Sequence, residues 1–209
     1  MTNTTLPTNI KTVMLAGGNS VRFKGNKQLS VVSRNGSKAP LLQQSINTVT
    51  QALIKAEIPL VNLYVATGEY HTEIAEQISQ SLYYCDMAYL GMGYTISQSI
   101  DMILNNDPDT THILFTLADQ VALEISDYLR LLQKILEFPE HMVCAETLDG
   151  ITAPAIFPQQ YFEKLQALSG DKGAKAILQA NQKQLKKLPM GNASFDIDTV
   201  EDLLHWNNS

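Results

Sequence analysis

The sequence predicts an α/β protein with a mostly parallel sheet covered by helices on both faces, and three observations carry that prediction. Short apolar runs rich in Val, Ile, Leu or Phe alternate with segments whose apolar residues recur at helical spacing. The runs are apolar nearly throughout, as strands buried on both faces require. The first run stops at a glycine pair followed by cations, in VMLAGGNSVRFKGNKQLS at 13–30. That is the strand exit at which open α/β sheets receive ligands.

The strand runs are 10–16, 60–66, 112–117, 142–145 and 153–157, all of strand length. Between them, 40–54 opens with proline, which suits a first helical turn, and sets Leu41, Leu42, Ser45, Ile46 and Val49 on one stripe. Segments 70–81, 95–104 and 125–136 read as further helices, and 199–206 as a short last one. No internal repeat, low-complexity tract or linker interrupts the pattern. Residues 1–9 are therefore expected as a flexible leader, and 10–209 as a single domain.

Composition limits what such a domain does. With 209 residues and 44% hydrophobic content the chain can bury a substantial core. No run of about eighteen apolar residues exists, so no membrane-spanning helix is expected, and the first residues lack the layout of a secretory signal. The two cysteines, Cys85 and Cys144, stand far apart without a histidine close by, which speaks against a zinc knuckle and a disulfide framework and for a reducing cytoplasm. A net charge of −6 opposes non-specific nucleic-acid binding. Any polyanion must then be met by a local cluster of cations.

The loop after the first strand is such a cluster. Glycines let backbone amides approach a phosphate and form an anion nest, and Arg22 and Lys27 add charge. Neither common phosphate fingerprint fits, because no G-K-[S/T] follows and residues 17–22 do not spell G-x-G-x-x-G. A tight turn with solvated cations remains the plain structural alternative.

L-A-G-G-N-S-V-R-F at 15–23, with Lys27 five residues after Arg22, resembles the signature loop of the molybdopterin-type nucleotidyltransferases. The likeness continues through A-P-L-L at 39–42, G-M-G-Y-T-I at 91–96, L-A-D-Q at 117–120, A-P-A-I-F at 153–157, L-S-G-D-K-G-A-K at 168–175 and D-I-D-T-V-E-D at 196–202. These blocks cover most of 11–206 in the family's order, and resemble most the molybdenum cofactor cytidylyltransferases. The resemblance implies a Rossmann-like nucleotidyltransferase fold. It also implies nucleotide contacts from Leu15, Ala16, Gly17, Gly18, Gly93 and Thr95, where a threonine keeps the hydroxyl of the family's serine. Asp171 is placed by it on the acceptor side, where Asp196 is a second candidate. Departures fall at Lys24, in the position of the family's loop glycine, at Val121 and Val200 for prolines, and at Ser99 for a glycine.

Nucleotidyl transfer gives those blocks chemical sense. An acceptor oxygen attacks the α-phosphorus and pyrophosphate leaves, so the site needs anion donors, a divalent cation and an aligned nucleophile. An acceptor phosphate is largely dianionic at pH 7, which removes the demand for a strong base and leaves His71, His112, His141 and His205 to structural roles. Asp119, after the strand 112–117, is the candidate ligand for Mg2+. Asp198, or Asp196 two residues before it, completes the metal site unless the segment only caps the last helix, and Thr95 and Asp171 also fit cap or turn roles. The catalytic set expected is Arg22, Lys27 and Asp119. The expected reaction is transfer of CMP from CTP to molybdopterin, with a molybdoenzyme of the xanthine dehydrogenase type as downstream partner. GTP as donor, another phosphorylated acceptor, and a non-catalytic cofactor carrier are the alternatives.

Overall fold

The computed structural model describes residues 9–18, 20, 22–23, 25–34 and 36–208. Along the chain run β1 (Ile10–Ala16), a 3₁₀ turn (Lys27–Leu29), β2 (Val31–Arg34), β3 (Ser37–Pro40), α1 (Leu41–Lys55), β4 (Leu63–Thr67), α2 (His71–Gln77), β5 (Leu82–Tyr84) and α3 (Met92–Asn106). There follow β6 (His112–Leu117), α4 (Ile125–Glu137), β7 (Met142–Thr147), β8 (Gly150–Pro158), α5 (Phe162–Gln166), α6 (Lys175–Ala180), β9 (Leu185–Pro189) and α7 (Val200–Asn207). Seven strands form one sheet in the order β5-β4-β1-β6-β8-β7-β9, and β2 and β3 form a separate hairpin. Within the seven-stranded sheet only β8 runs against its neighbours, and β2 and β3 pair antiparallel in their hairpin. The α/β class with a mostly parallel sheet is therefore as the sequence predicts.

Strand alternation sorts the core into two layers. Ile10, Met14 and Ala16 of β1 face one side with Leu63, Val65 and Leu114, where α1 and α4 cover them through Leu42, Ile46, Val49, Leu131 and Ile135. Val13 and Leu15 face the other side with Ile113 and Phe115, under Ile96, Ile100 and Ile103 of α3 and Phe162 and Leu165 of α5. Burying both faces is what makes β1 apolar from end to end.

The order of strands reverses at β1. From β1 the chain steps outward to β4 and β5, then returns by α3 to β6 on the other side of β1. The crevice between the carboxyl ends of β1 and β6 is thus the switch point at which such sheets bind ligands. Ala118 extends the pairing past β6, its amide donating to the Leu15 carbonyl at 3.2 Å, which sets Asp119 beside the glycine loop.

Several boundaries differ from expectation for tertiary reasons. Segment 60–66 opens as a 3₁₀ turn, and β4 starts at Leu63. Helix α2 ends at Gln77 rather than near 81, because Ile78 turns into the core and the chain must reach the sheet edge as β5. Helix α3 begins at Met92, three residues early, with Gly91 at its N-cap, so Thr95 lies inside the helix and does not cap it. Thr199 caps α7 in a reciprocal box with Asp202, which removes the capping alternative for Asp198. Strands β2, β3, β5 and β9 are short edge elements absent from the sequence prediction.

Of the expected leader only Asn9 is described; its side chain donates to Asp107 and its carbonyl accepts from Thr111. Cys85 and Cys144 are both free and buried. Among the described residues no helix is long and apolar enough to cross a membrane.

Candidate active site

Backbone packing builds the floor of the crevice. Gly17 is glycine because a Cβ there would meet Ala88 Cβ and Thr95 Oγ1, both at 3.2 Å. Behind it, a Cβ on Gly68 would stand 2.6 Å from the Gly17 carbonyl oxygen, so the loop after β4 backs the loop after β1 at backbone distance. Gly18, by contrast, faces open space. The resulting pocket of ≈ 290 Å³ has on its walls Leu15, Gly17, Gly18, Lys27, Thr95, Asp119 and Asp171, all expected from the sequence. Ala16 stands buried at the strand end and Gly93 behind the wall, where a Cβ would lie 2.8 Å from the Ser169 backbone.

One lysine gathers the acidic residues. Lys27 begins the 3₁₀ turn after the glycine loop, with its side chain only 8% exposed. Its Nζ donates to Asp119 Oδ2 at 2.8 Å and to Asp198 Oδ1 at 3.1 Å. Burial works to lower its pKa, but attraction and hydrogen bonds from Asp119 and Asp198 prevail and raise it above the usual lysine value. Arg22 reaches the same cluster from the exposed rim, with Nη2 2.6 Å from Asp198 Oδ2.

The segment carrying Asp196 and Asp198 is not a strand; a small apolar cluster holds it. Ile197 is fully buried with Val32, Leu41 and Val121, and its amide donates to the Asp119 carbonyl at 3.2 Å. Val121, one of the departures from the family pattern, therefore serves as packing for that segment. Asp196 is exposed as a residue, yet its carboxyl is crowded enough that desolvation, helped by the Asp119 and Asp198 charges, raises its pKa to about 6 against the pull of Lys27 and Gln120. The structure sets it beside these carboxylates.

Polar atoms without a partner among the described residues converge on the pocket. Ser20 Oγ, Gln28 Oε1 and Asp119 Oδ1 are buried and unpaired, and all three residues line it. Ser20 is held at φ 48, a left-handed conformation uncommon outside glycine and Asn. Ser20 falls inside the quoted loop block, although its role was not read from it, and Gln28 does not stand out in the sequence. Gly91 lines the pocket from the quoted block at 91–96, whereas Ala88 on the wall and Gly68 behind the glycine loop are brought there only by the fold. Lys24 lies outside the described residues.

The donor set fits a hard divalent cation. Carboxylate oxygens suit Mg2+ or Mn2+, and Asp119 Oδ1 is an acceptor in want of a partner. No group of three or more metal-ligating side chains is found among the described residues. Two carboxylates are what a Mg2+ site completed by substrate phosphates and water asks of the protein. Two of the histidines have other partners: His71 pairs with Thr67, and His112 with Thr111 and the Pro139 carbonyl.

A model of the MobA-like NTP transferase domain matches residues 12–186. Among solved structures, Rv0371c from Mycobacterium tuberculosis H37Rv superposes with a TM-score of 0.78 at 20% identity over 96% of this chain and 98% of that one. A manganese complex of Rv0371c gives 0.74 at 18% identity, over 96% and 99%. The 4-diphosphocytidyl-2C-methyl-D-erythritol synthase of Anaerococcus prevotii gives 0.69 at 14% identity, over 99% and 98%. Molybdopterin-guanine dinucleotide biosynthesis protein A of Archaeoglobus fulgidus gives 0.65 at 12%, over 95% and 97%. At these identities the likeness is one of fold. No curated protein matches the sequence at a significant level.

Proposed function

Because the chain belongs to the MobA-like NTP transferase family, we propose that it transfers a nucleoside monophosphate, CMP from CTP, to the phosphate of molybdopterin. In this reading an acceptor phosphate oxygen bonds to the α-phosphorus, the bond to the bridging oxygen breaks, and pyrophosphate leaves with its electron pair. The observation that carries it is the placement of Lys27 and Asp119 on the wall of a pocket floored by the glycine loop, with Asp198 joined to the same lysine.

Backbone amides of Leu15–Gly18 would bind the triphosphate, with Gly93 and Thr95 on the nucleoside side. Arg22 and Lys27 would neutralise charge growing on the pyrophosphate. Asp119 and Asp198 would hold Mg2+, which when bound screens the phosphate charges from the incoming nucleophile. Asp171 and Asp196 would contact the acceptor. Nothing here requires a histidine base, since an acceptor phosphate is already largely dianionic at pH 7. We place the reaction in a reducing cytoplasm, where Cys85 and Cys144 stay thiols, with a molybdoenzyme of the xanthine dehydrogenase type as recipient of the product.

A sugar or polyol phosphate is the second acceptor considered, because the same fold is shared with the Anaerococcus diphosphocytidyl-methylerythritol synthase and with the Archaeoglobus protein. The test is pyrophosphate release from purified protein with Mg2+, CTP or GTP, and molybdopterin or a sugar or polyol phosphate. We expect CTP to exceed GTP in kcat/KM by about tenfold or more, a gap of about 1.4 kcal/mol in transition-state binding. A preference for GTP removes the cytidylyl assignment. Turnover only with a polyol phosphate removes molybdopterin, and no release with any pair leaves a carrier.

A further inference from the structure

The cations in the carboxylate cluster already occupy most of what a metal would bind. Lys27 Nζ covers Asp119 Oδ2 and Asp198 Oδ1, and Arg22 covers Asp198 Oδ2. Of the four oxygens of this carboxylate pair, Asp119 Oδ1 alone lacks a partner among the described residues. A divalent cation binds carboxylate oxygens at roughly 2.0–2.6 Å. An ammonium at 2.8 and 3.1 Å from two of those same oxygens stands in its place and repels it.

We propose, resting on the nucleotidyl-transfer reading, that Lys27 is the resident counter-cation of the metal site, excluding free divalent metal until a triphosphate draws its ammonium away. The lysine is suited to such an exchange. Its ammonium is a compact charge on a flexible stem with three donors. Lys27 also shares the pocket wall with Gly17, Gly18 and Ser20, so the anion bound by the glycine loop lies within reach of its side chain. A polyphosphate there is a stronger anion than either aspartate. Moving the ammonium onto it uncovers Asp119 Oδ2 and Asp198 Oδ1 as the metal arrives with the nucleotide. Metal and nucleotide then bind with positive coupling, and the coupling resides in one side chain.

The consequence runs against the usual effect of deleting a catalytic residue: removing Lys27 should tighten metal binding. Mn2+ titrations followed by electron paramagnetic resonance, on the full chain without nucleotide, test it in wild type, Lys27→Met, Lys27→Arg and the double variant Lys27→Met with Asp119→Asn. Lys27→Met should bind Mn2+ about tenfold or more tighter than wild type, within the usual span of coupling between sites. Lys27→Arg should stay as weak as wild type, and the double variant should lose the gain. Lys27→Met binding no tighter than wild type overturns the proposal, as does a gain that survives Asp119→Asn.

Lys27→Met also leaves its carboxylates short of a cation, so thermal unfolding gives a second readout. Mn2+ should raise the Tm of Lys27→Met well beyond its effect on wild type, and equal rises overturn the idea. Neither readout contains nucleotide or turnover. A wild-type protein inactive with every donor and acceptor defeats the proposed function and leaves these measurements to decide the lysine. An active one with unaltered Mn2+ binding in Lys27→Met defeats the lysine inference alone.

Discussion

At the scale of single residues, Lys27 concentrates the chemistry. It was legible because a lysine after a glycine-ended strand is an anion donor by type and position. Its pairing with two aspartates 92 and 171 residues away was not, because such a contact exists only after the sheet has formed. If Lys27 serves the leaving group, Lys27→Ala should lower kcat on the order of 10²-fold with a smaller change in nucleotide KM, since only stabilisation that grows toward the transition state accelerates the reaction. Steady-state kinetics at saturating Mg2+ measure the split. A rise in KM at unchanged kcat would place the lysine in ground-state binding only.

At the scale of elements, the start of α3 shows why a glycine motif is informative without being self-explanatory. G-M-G at 91–93 reads as a family block, but its reason is steric. Gly91 holds φ +120, and a Cβ on it would fall 2.4 Å from the Gly170 backbone; the Gly93 amide donates to the Gly170 carbonyl at 2.8 Å. The turn carrying Asp171 is thus docked backbone to backbone on the helix that carries Thr95. Gly91→Ala should destabilise the protein by about 3 kcal/mol through left-handed strain and overlap. For a chain of this length that lowers Tm by roughly 6–12 °C. Differential scanning calorimetry reads the loss, and a change under about 1 kcal/mol would mean the turn yields without cost. Helices α1 and α4 were legible nearly to their ends because their apolar stripes face the sheet directly. Edge strands β5 and β9 were not, since three to five residues hydrogen-bonded on one side carry little apolar pattern.

At the scale of the whole molecule, His112 links the central sheet to pH. It opens β6 with its ring buried, Nε2 against the Pro139 carbonyl at 2.9 Å and Nδ1 against Thr111 Oγ1 at 3.0 Å. Burial lowers its pKa from the ordinary 6.5, and the Pro139 carbonyl and Glu140 restore only part. A histidine depressed in the fold binds its proton more readily when unfolded, so stability is full above the unfolded pKa and declines as pH falls from about 6.5 through the lower folded value. Urea unfolding between pH 7.5 and 5 should show a decline that His112→Gln makes shallower. An unchanged slope in the variant would assign the decline to other groups.

By itself the sequence determined the α/β class, the two faces of the core, the glycine loop at the first strand's exit and the residue types of the site. Each follows from local periodicity or from the chemistry of a short motif, which distant contacts do not alter. Only the tertiary structure decided that β8 runs antiparallel, that Gln28 and Ala88 belong at the crevice with Gly68 behind it, and that Asp198 is an ion-pair partner with Thr199 as the cap. Those depend on which backbones meet across the β1–β6 switch point and on Ile197 being buried among Val32, Leu41 and Val121. Sequence spacing carries no record of such encounters, because their energy comes from surfaces that do not exist until the chain has folded.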